Sequence, residues 1–133
     1  MVSIAKEMIK TKEDVIIMPV PLHPKRLRER GFNQSQLLAK QVAGQTDIPI
    51  DFLSLRRIRY TFPQAGLHKD ERKKNVYHAF SLRNQPGIKG KTILLIDDVA
   101  TTRNTLNECA RELLLSGAKS VLGLVLAIAS LER

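Results

Sequence analysis

The sequence has a single cysteine and no tryptophan. Cys109 alone can close no internal disulfide and cannot build a cysteine-based zinc site, so no zinc is expected. Aromatic residues make up only 5% of the chain, which leaves few platforms for stacking on unpaired bases. Nowhere does an apolar run reach the ~18 residues that a membrane span needs. The opening "MVSIAKEMIKTKEDV" lacks the apolar stretch of a secretory signal. Together these absences set the expectation of a cytoplasmic protein with no membrane span. Acids are the scarce charge: 13 Asp and Glu stand against 22 Lys and Arg, a net charge of +9. That excess suits a polyanion, whether nucleic acid, a phosphate-rich metabolite or an acidic protein surface, and does not choose among them.

What remains is ordinary for a folded domain. At 133 residues and 43% hydrophobic content, the chain is long enough for one core and is expected to be one domain, 1–133. Residues 3–12 suggest a short amphipathic helix with Ile4, Met8 and Ile9 on one face. "VIIMPV" (15–20) is β-branched and nearly all apolar, as expected of a strand covered on both faces. "PLHPKRLRERG" reads as a basic loop. "NQSQLLAKQVAGQT" reads as a helix, with Leu37, Leu38, Gln41 and Val42 at helical spacing and Gly44 near its end. "IPIDFLSL" suggests a second strand interrupted by Pro49. From 56 to 78 the periodicity dissolves into a polar, basic stretch, expected to be a long flexible loop carrying a short helix over "HKDERKKNV". "AFSL" suggests a small strand, and "TILLID" is the strongest strand signal in the chain. "TLNECARELLLSG" carries Leu106, Cys109, Ala110, Leu113 and Leu114 as a core-facing helical stripe, with Gly117 at its C-cap. "SVLGLVLAIA" is one more buried strand. Strands alternating with helices predict an α/β fold with a parallel sheet flanked by helices, whose ligands bind beyond the carboxyl ends of the strands.

The chemistry concentrates in "ILLIDDVATTRNT" (93–105). Asp97 and Asp98 are delivered side by side by an apolar strand, and three hydroxyls, Thr101, Thr102 and Thr105, follow before a helix. The N–H groups that open a helix are unpaired and its dipole is positive there, so amides plus hydroxyls make a phosphate seat. The two acids suit the opposite chemistry: they accept hydrogen bonds from sugar hydroxyls or bind Mg²⁺ through oxygen. A phosphorylated sugar satisfies both halves. Helix capping accounts for one Asp or one Thr. It does not account for two adjacent acids at the mouth of a buried strand with three hydroxyls behind them.

That stretch resembles the phosphoribosyl-pyrophosphate (PRPP) loop of type I phosphoribosyltransferases. "VPLHPKRLRERGFNQSQLLA" (20–39) and "TFPQAGLHKDERKKNVYHAF" (61–80) are similar, in order and spacing, to one branch of them, the ComF family linked to bacterial competence and DNA uptake. The resemblance runs from Val15 onward and implies a type I phosphoribosyltransferase-like fold. By position it implies that Asp97 and Asp98 contact the ribose hydroxyls, directly or through Mg²⁺. It implies a 5′-phosphate loop of Val99, Ala100, Thr101, Thr102, Arg103, Asn104 and Thr105. Lys25, Arg26, Arg28 and Arg30 would lie near the pyrophosphate, and Arg57, Lys69, Arg72 and Lys73 would come from the flexible loop that closes over substrate. The implied activity is Mg-dependent phosphoribosyl transfer, and no sequence feature names the acceptor. The other reading is a non-catalytic accessory protein of DNA uptake that binds single-stranded DNA or competence proteins. A PRPP sensor that binds without turnover is a third, and a homodimer is among the expected assemblies.

The sequence departs from the family pattern in two places. Gly usually follows the paired threonines, and Arg103 stands there instead. If that position is left-handed, a non-Gly residue costs on the order of 1–2 kcal/mol; the guanidinium either reaches a phosphate as an extra cation or obstructs the seat. The family's cysteine-rich N-terminal zinc module also has no counterpart in this sequence. "QPGIKGKT" (85–92) ends like a phosphate-binding P-loop, but Gln85 stands where the first Gly belongs and the segment precedes a strand. His23, His68 and His78 have no metal-ligand spacing and read as surface or loop residues.

Overall fold

The computed structural model describes residues 14–59, 78–83, 87–100 and 104–128. Eight elements follow in order: β1 (Val15–Pro19), α1 (Pro24–Arg30), α2 (Gln34–Thr46), β2 (Leu55–Arg57), β3 (Phe80–Leu82), β4 (Thr92–Ala100), α3 (Asn104–Leu115) and β5 (Ser120–Ile128). The main sheet has the order β1-β4-β5 and is parallel throughout. The expected α/β architecture with a parallel sheet between helices is therefore the observed one. β2 and β3 form a separate antiparallel pair.

β4 is the centre of the molecule because its residues are apolar on both sides. Ile93 and Leu95 pack with Phe80, Cys109 and Leu113 on one face of the sheet. Leu94 and Ile96 pack with Ala39 and Val42 on the other. Consecutive apolar residues, here Ile93 to Ile96, are what a parallel strand covered by helices on both faces requires. The free thiol of Cys109 is fully buried, and burial pushes its pKa well above the usual 9.0, so it fills core space and is no nucleophile.

Several expectations are corrected by local chemistry. The stretch read as a basic loop contains helix α1. Pro24 stands at its first position, the His23 ring nitrogen Nδ1 accepts from the Lys25 N–H at 3.1 Å, and Gly31 closes it at φ 84°. A proline opens a helix at no cost, because the first N–H has no partner to lose. The strand expected over 48–55 is reduced to a lone bridge between Ile17 and Ile50. Pro49 has no N–H to give, and Asp51 Oδ1 captures the N–H groups of Leu53 and Ser54, both at 3.0 Å. Regular pairing resumes only at β2.

Of the stripe expected on α2, Val42 is buried and Leu38 packs against the core, while Leu37 does not. The helix's buried residues are Ser35, Ala39, Val42 and Thr46, whereas Leu37 is 51% exposed. In α3 the stripe holds at Cys109 and Leu113 but fails at Leu114, and Glu108 is buried in addition. Glu108 receives the Arg111 guanidinium at 2.6 Å and the His78 N–H at 3.0 Å; the Arg111 bond is the main cause that holds its carboxyl below the ordinary value. Gly117 ends the helix as expected, at φ 108°, a conformation that L side chains rarely adopt.

The segment expected to be a flexible loop over 56–78 begins inside β2, and His78 at its other end is tied to Glu108. The helix expected over 68–76 and the one expected over 3–12 lie outside the described residues. No helix among the described residues is long and apolar enough to cross a membrane.

Candidate functional site

The acid pair sits within β4, not after it. The strand expected to stop at Asp97 continues to Ala100, because β5 runs alongside and pairs Asp97 with Val125, Val99 with Ala127 and Ala100 with Ile128. Val99 and Ala100, expected in the phosphate loop, therefore belong to the strand. Asn104 and Thr105 are the first two residues of α3. Thr101, Thr102 and Arg103 lie between these elements, outside the described residues.

Asp97 is only 8% exposed. Its Oδ1 accepts from the Ser35 hydroxyl at 3.1 Å and from the Asp98 N–H at 2.9 Å. Burial pushes its carboxyl up from the ordinary 3.8 to about 6; the adjacent Asp98 carboxyl pushes the same way, and the bonds from Ser35 and the Asp98 N–H act against it. Asp98 is half-buried. A buried acid held in this condition gains free energy when a cation or a ligand hydroxyl arrives to replace lost water.

The basic residues divide by position. Arg26 is half-buried, whereas Lys25, Arg28 and Arg30 are exposed on α1. Arg30 lies over the Phe32 ring, 5.4 Å from its centroid. Arg57 is held on β2, where it is the cross-strand partner of Phe80 and its guanidinium lies 5.2 Å from that ring's centroid. Burial pushes the Arg57 pKa down; Cys109 and Asp97 act against that, while Arg26 and Arg59 add to it. Asp97, Arg26 and Arg59 thus each lie within electrostatic reach of Arg57. Lys69, Arg72 and Lys73 lie outside the described residues.

Two residues of this site, Ser35 and Asn33, carry no local sequence motif. Ser35 lies at the buried N-terminal turn of α2, and Asn33 caps that helix by accepting the Ser35 N–H at 3.0 Å. A serine in register with Ala39, Val42 and Thr46, on the face of small residues, is the mark that could have found Ser35.

Residues 30–132 match the phosphoribosyl transferase domain. Competence protein F of Haemophilus influenzae is 36% identical over 118 residues, which cover 88% of this chain and 52% of that protein. The DNA utilization protein YhgH of Escherichia coli K12 is 37% identical over 105 residues, covering 79% and 45%. Competence protein ComFC of Bacillus subtilis is 36% identical over 102 residues, covering 77% and 39%. The chain belongs to the phosphoribosyltransferase-like ComF family. It spans about half the length of the curated relatives it matches.

Among solved structures, the purine phosphoribosyltransferase of Pyrococcus horikoshii superposes with a TM-score of 0.59 at 22% identity, covering 95% of this chain and 68% of that one. The phosphoribosylpyrophosphate synthetase of Mycobacterium smegmatis gives 0.58 at 19%, covering 96% and 31%. At such identities these likenesses show the ComF chain's fold, which is that of type I phosphoribosyltransferases. Among its described residues no group of three or more His, Cys, Asp or Glu could hold a metal ion. Two acids do fit Mg²⁺, which is commonly bound by one or two carboxylates with water and substrate oxygens in its remaining positions.

Proposed function

We propose that this ComF-family chain binds PRPP or a closely related phosphosugar at the end of β4 and acts in Mg-dependent phosphoribosyl transfer to an acceptor. One observation carries the reading. A carboxylate buried to 8% exposure stands beside a second acid near the carboxyl end of the central strand, seven positions before the start of the 12-residue helix α3. Asp97 and Asp98 take the ribose hydroxyls, directly or through Mg²⁺. The amides and hydroxyls of 101–105 take the 5′-phosphate against the positive end of α3. Arg57 and Arg26 supply positive charge for the pyrophosphate, whose departure leaves a cationic ribose that needs electrostatic stabilisation and exclusion of water.

Calorimetric titration with PRPP, with and without Mg²⁺, tests this. Saturable binding that strengthens at least tenfold with Mg²⁺ is expected. No heat at millimolar PRPP in either condition would overturn it.

A second reading has its own support. Two exposed phenylalanines each have a cation over the ring: Arg30 at Phe32, and Lys40 at Phe52 at 5.3 Å. Helix α1 adds two more exposed cations, Lys25 and Arg28. Aromatic faces beside cations suit single-stranded nucleic acid, and two kinds of relative are named for competence and for DNA utilization. Such binding is expected to weaken steeply as salt rises, whereas Mg-dependent PRPP binding is not.

A further inference from the structure

A closed ring of hydrogen bonds surrounds Asp97. The Val20 N–H donates to the Ile96 carbonyl at 2.9 Å, and the Asn33 amide Nδ2 donates to the Val20 carbonyl at 3.2 Å. Asn33 Oδ1 accepts the Ser35 N–H at 3.0 Å, and the Ser35 hydroxyl donates to Asp97 Oδ1 at 3.1 Å. The ring thus leaves β4 at Ile96, passes through Val20 just after β1 and the first turn of α2, and returns to β4 one residue later.

Ser35 is the last member before the acid and is 3% exposed. Its hydroxyl also accepts the Asp98 N–H at 3.3 Å, while that N–H donates to Asp97 Oδ1 at 2.9 Å. A hydroxyl has one proton to give and lone pairs to receive with. Here it gives the proton to the carboxylate and receives from the amide, so its orientation is set. Asp97 Oδ1 is then occupied by two donors. Both of these bonds fall on Oδ1 and none on Oδ2. One oxygen is committed to the protein and the other remains for a ligand.

We propose that Ser35 is a positioning residue for ligand binding: it holds the Asp97 carboxylate in the single orientation that leaves Oδ2 for a sugar hydroxyl or a metal ion. This rests on the function proposed above. Removing the hydroxyl lets the carboxylate turn, and the turn must be reversed each time ligand binds. Net hydrogen bonds to charged groups are strong enough for the loss to weaken binding about tenfold or more.

The test uses the full chain and calorimetry with PRPP at saturating Mg²⁺, below the melting point of every variant. Ser35→Ala is expected to weaken binding at least tenfold. Ser35→Thr keeps a hydroxyl and is expected to stay within about threefold of the unsubstituted protein. PRPP affinity measured without Mg²⁺ separates the two ligands of Oδ2: a change below twofold in Ser35→Ala assigns Oδ2 to the metal ion, and a loss as large as that with Mg²⁺ assigns it to a sugar hydroxyl. If Ser35→Ala does not fold, Ser35→Cys fills the same space with a poor donor and takes its place. Equal losses in Ser35→Ala and Ser35→Thr would assign Ser35 to packing alone and overturn the inference, as would unchanged binding in Ser35→Ala. If the unsubstituted protein binds no PRPP, the functional reading falls first and this inference with it.

Discussion

Asp97→Asn is expected to raise the melting temperature of the ligand-free protein at pH 7.5 while abolishing the proposed Mg-dependent PRPP binding. The folded protein holds the Asp97 proton more tightly, at about 6, than the unfolded chain does at 3.8. Between those values the folded state binds the extra proton, so the residue's favourable contribution is complete below 3.8 and is lost as pH rises to about 6. Above that the folded protein carries the full cost of an ionised, buried carboxylate, on the order of 2–3 kcal/mol. Asn cannot ionise, yet its Oδ1 can still accept from the Ser35 hydroxyl and the Asp98 N–H. The stabilisation is therefore expected at pH 7.5, to shrink as pH falls through 6 and to vanish near 3.5. Thermal unfolding of both proteins across that range is the measurement. A variant less stable at pH 7.5, or a difference independent of pH, would show that burial does not disfavour the charge. Removing a site acid while gaining stability is the signature of a residue kept for its ligand.

Phe80→Ala is expected to cost about 3–5 kcal/mol in denaturant unfolding, in line with other phenylalanine truncations in cores. Phe80 is 2% exposed and among the largest fully buried side chains. It joins β3 to the core formed by β4 and α3, and it carries the Arg57 guanidinium on its ring. A domain with a total stability of roughly 5–15 kcal/mol loses a large share by this one change. Phe80→Leu separates the two roles. It retains most of the apolar volume, so its stability loss is expected to be less than half as large, while Arg57 still loses its platform and PRPP binding weakens. A loss below about 1 kcal/mol in Phe80→Ala would mean that β2 and β3 are not coupled to the main core.

The legible part of the fold was the part with an uninterrupted pattern. β1, β4 and β5 are apolar at nearly every position, and parallel strands covered on both faces cannot be otherwise. The acid pair was legible for the same reason, since two carboxylates at the end of such a run stand against their surroundings. Helix α1 was not, because Pro21 and Pro24 read as breakers and only the structure shows Pro24 at the first helical position, which suits it. The inward face of α2 was legible only at Leu38 and Val42, because the rest of it is built of Ser35, Ala39 and Thr46, while the larger Leu37 points to solvent. Arg57 was assigned to a loop because "RRIRY" has no apolar alternation; its place on β2 is set by the cross-strand partner Phe80, 23 residues away along the chain. Ser35 escaped for the same reason: its role lies in a bond to Asp97 across 62 residues, which no local pattern records.

The central claim is that one site, formed by the acid pair and the start of α3, holds the phosphosugar. Amide NMR spectra of ¹⁵N-labelled protein titrated with PRPP and Mg²⁺ test it most directly. The expected result is saturable shifts at Asp97, Asp98, Asn104, Thr105 and Ser35, with the β5 residues Ser120 and Val121 at the far end of the sheet unmoved. Shifts confined to α1, Phe32 and Phe52, or none at saturating PRPP, would contradict it.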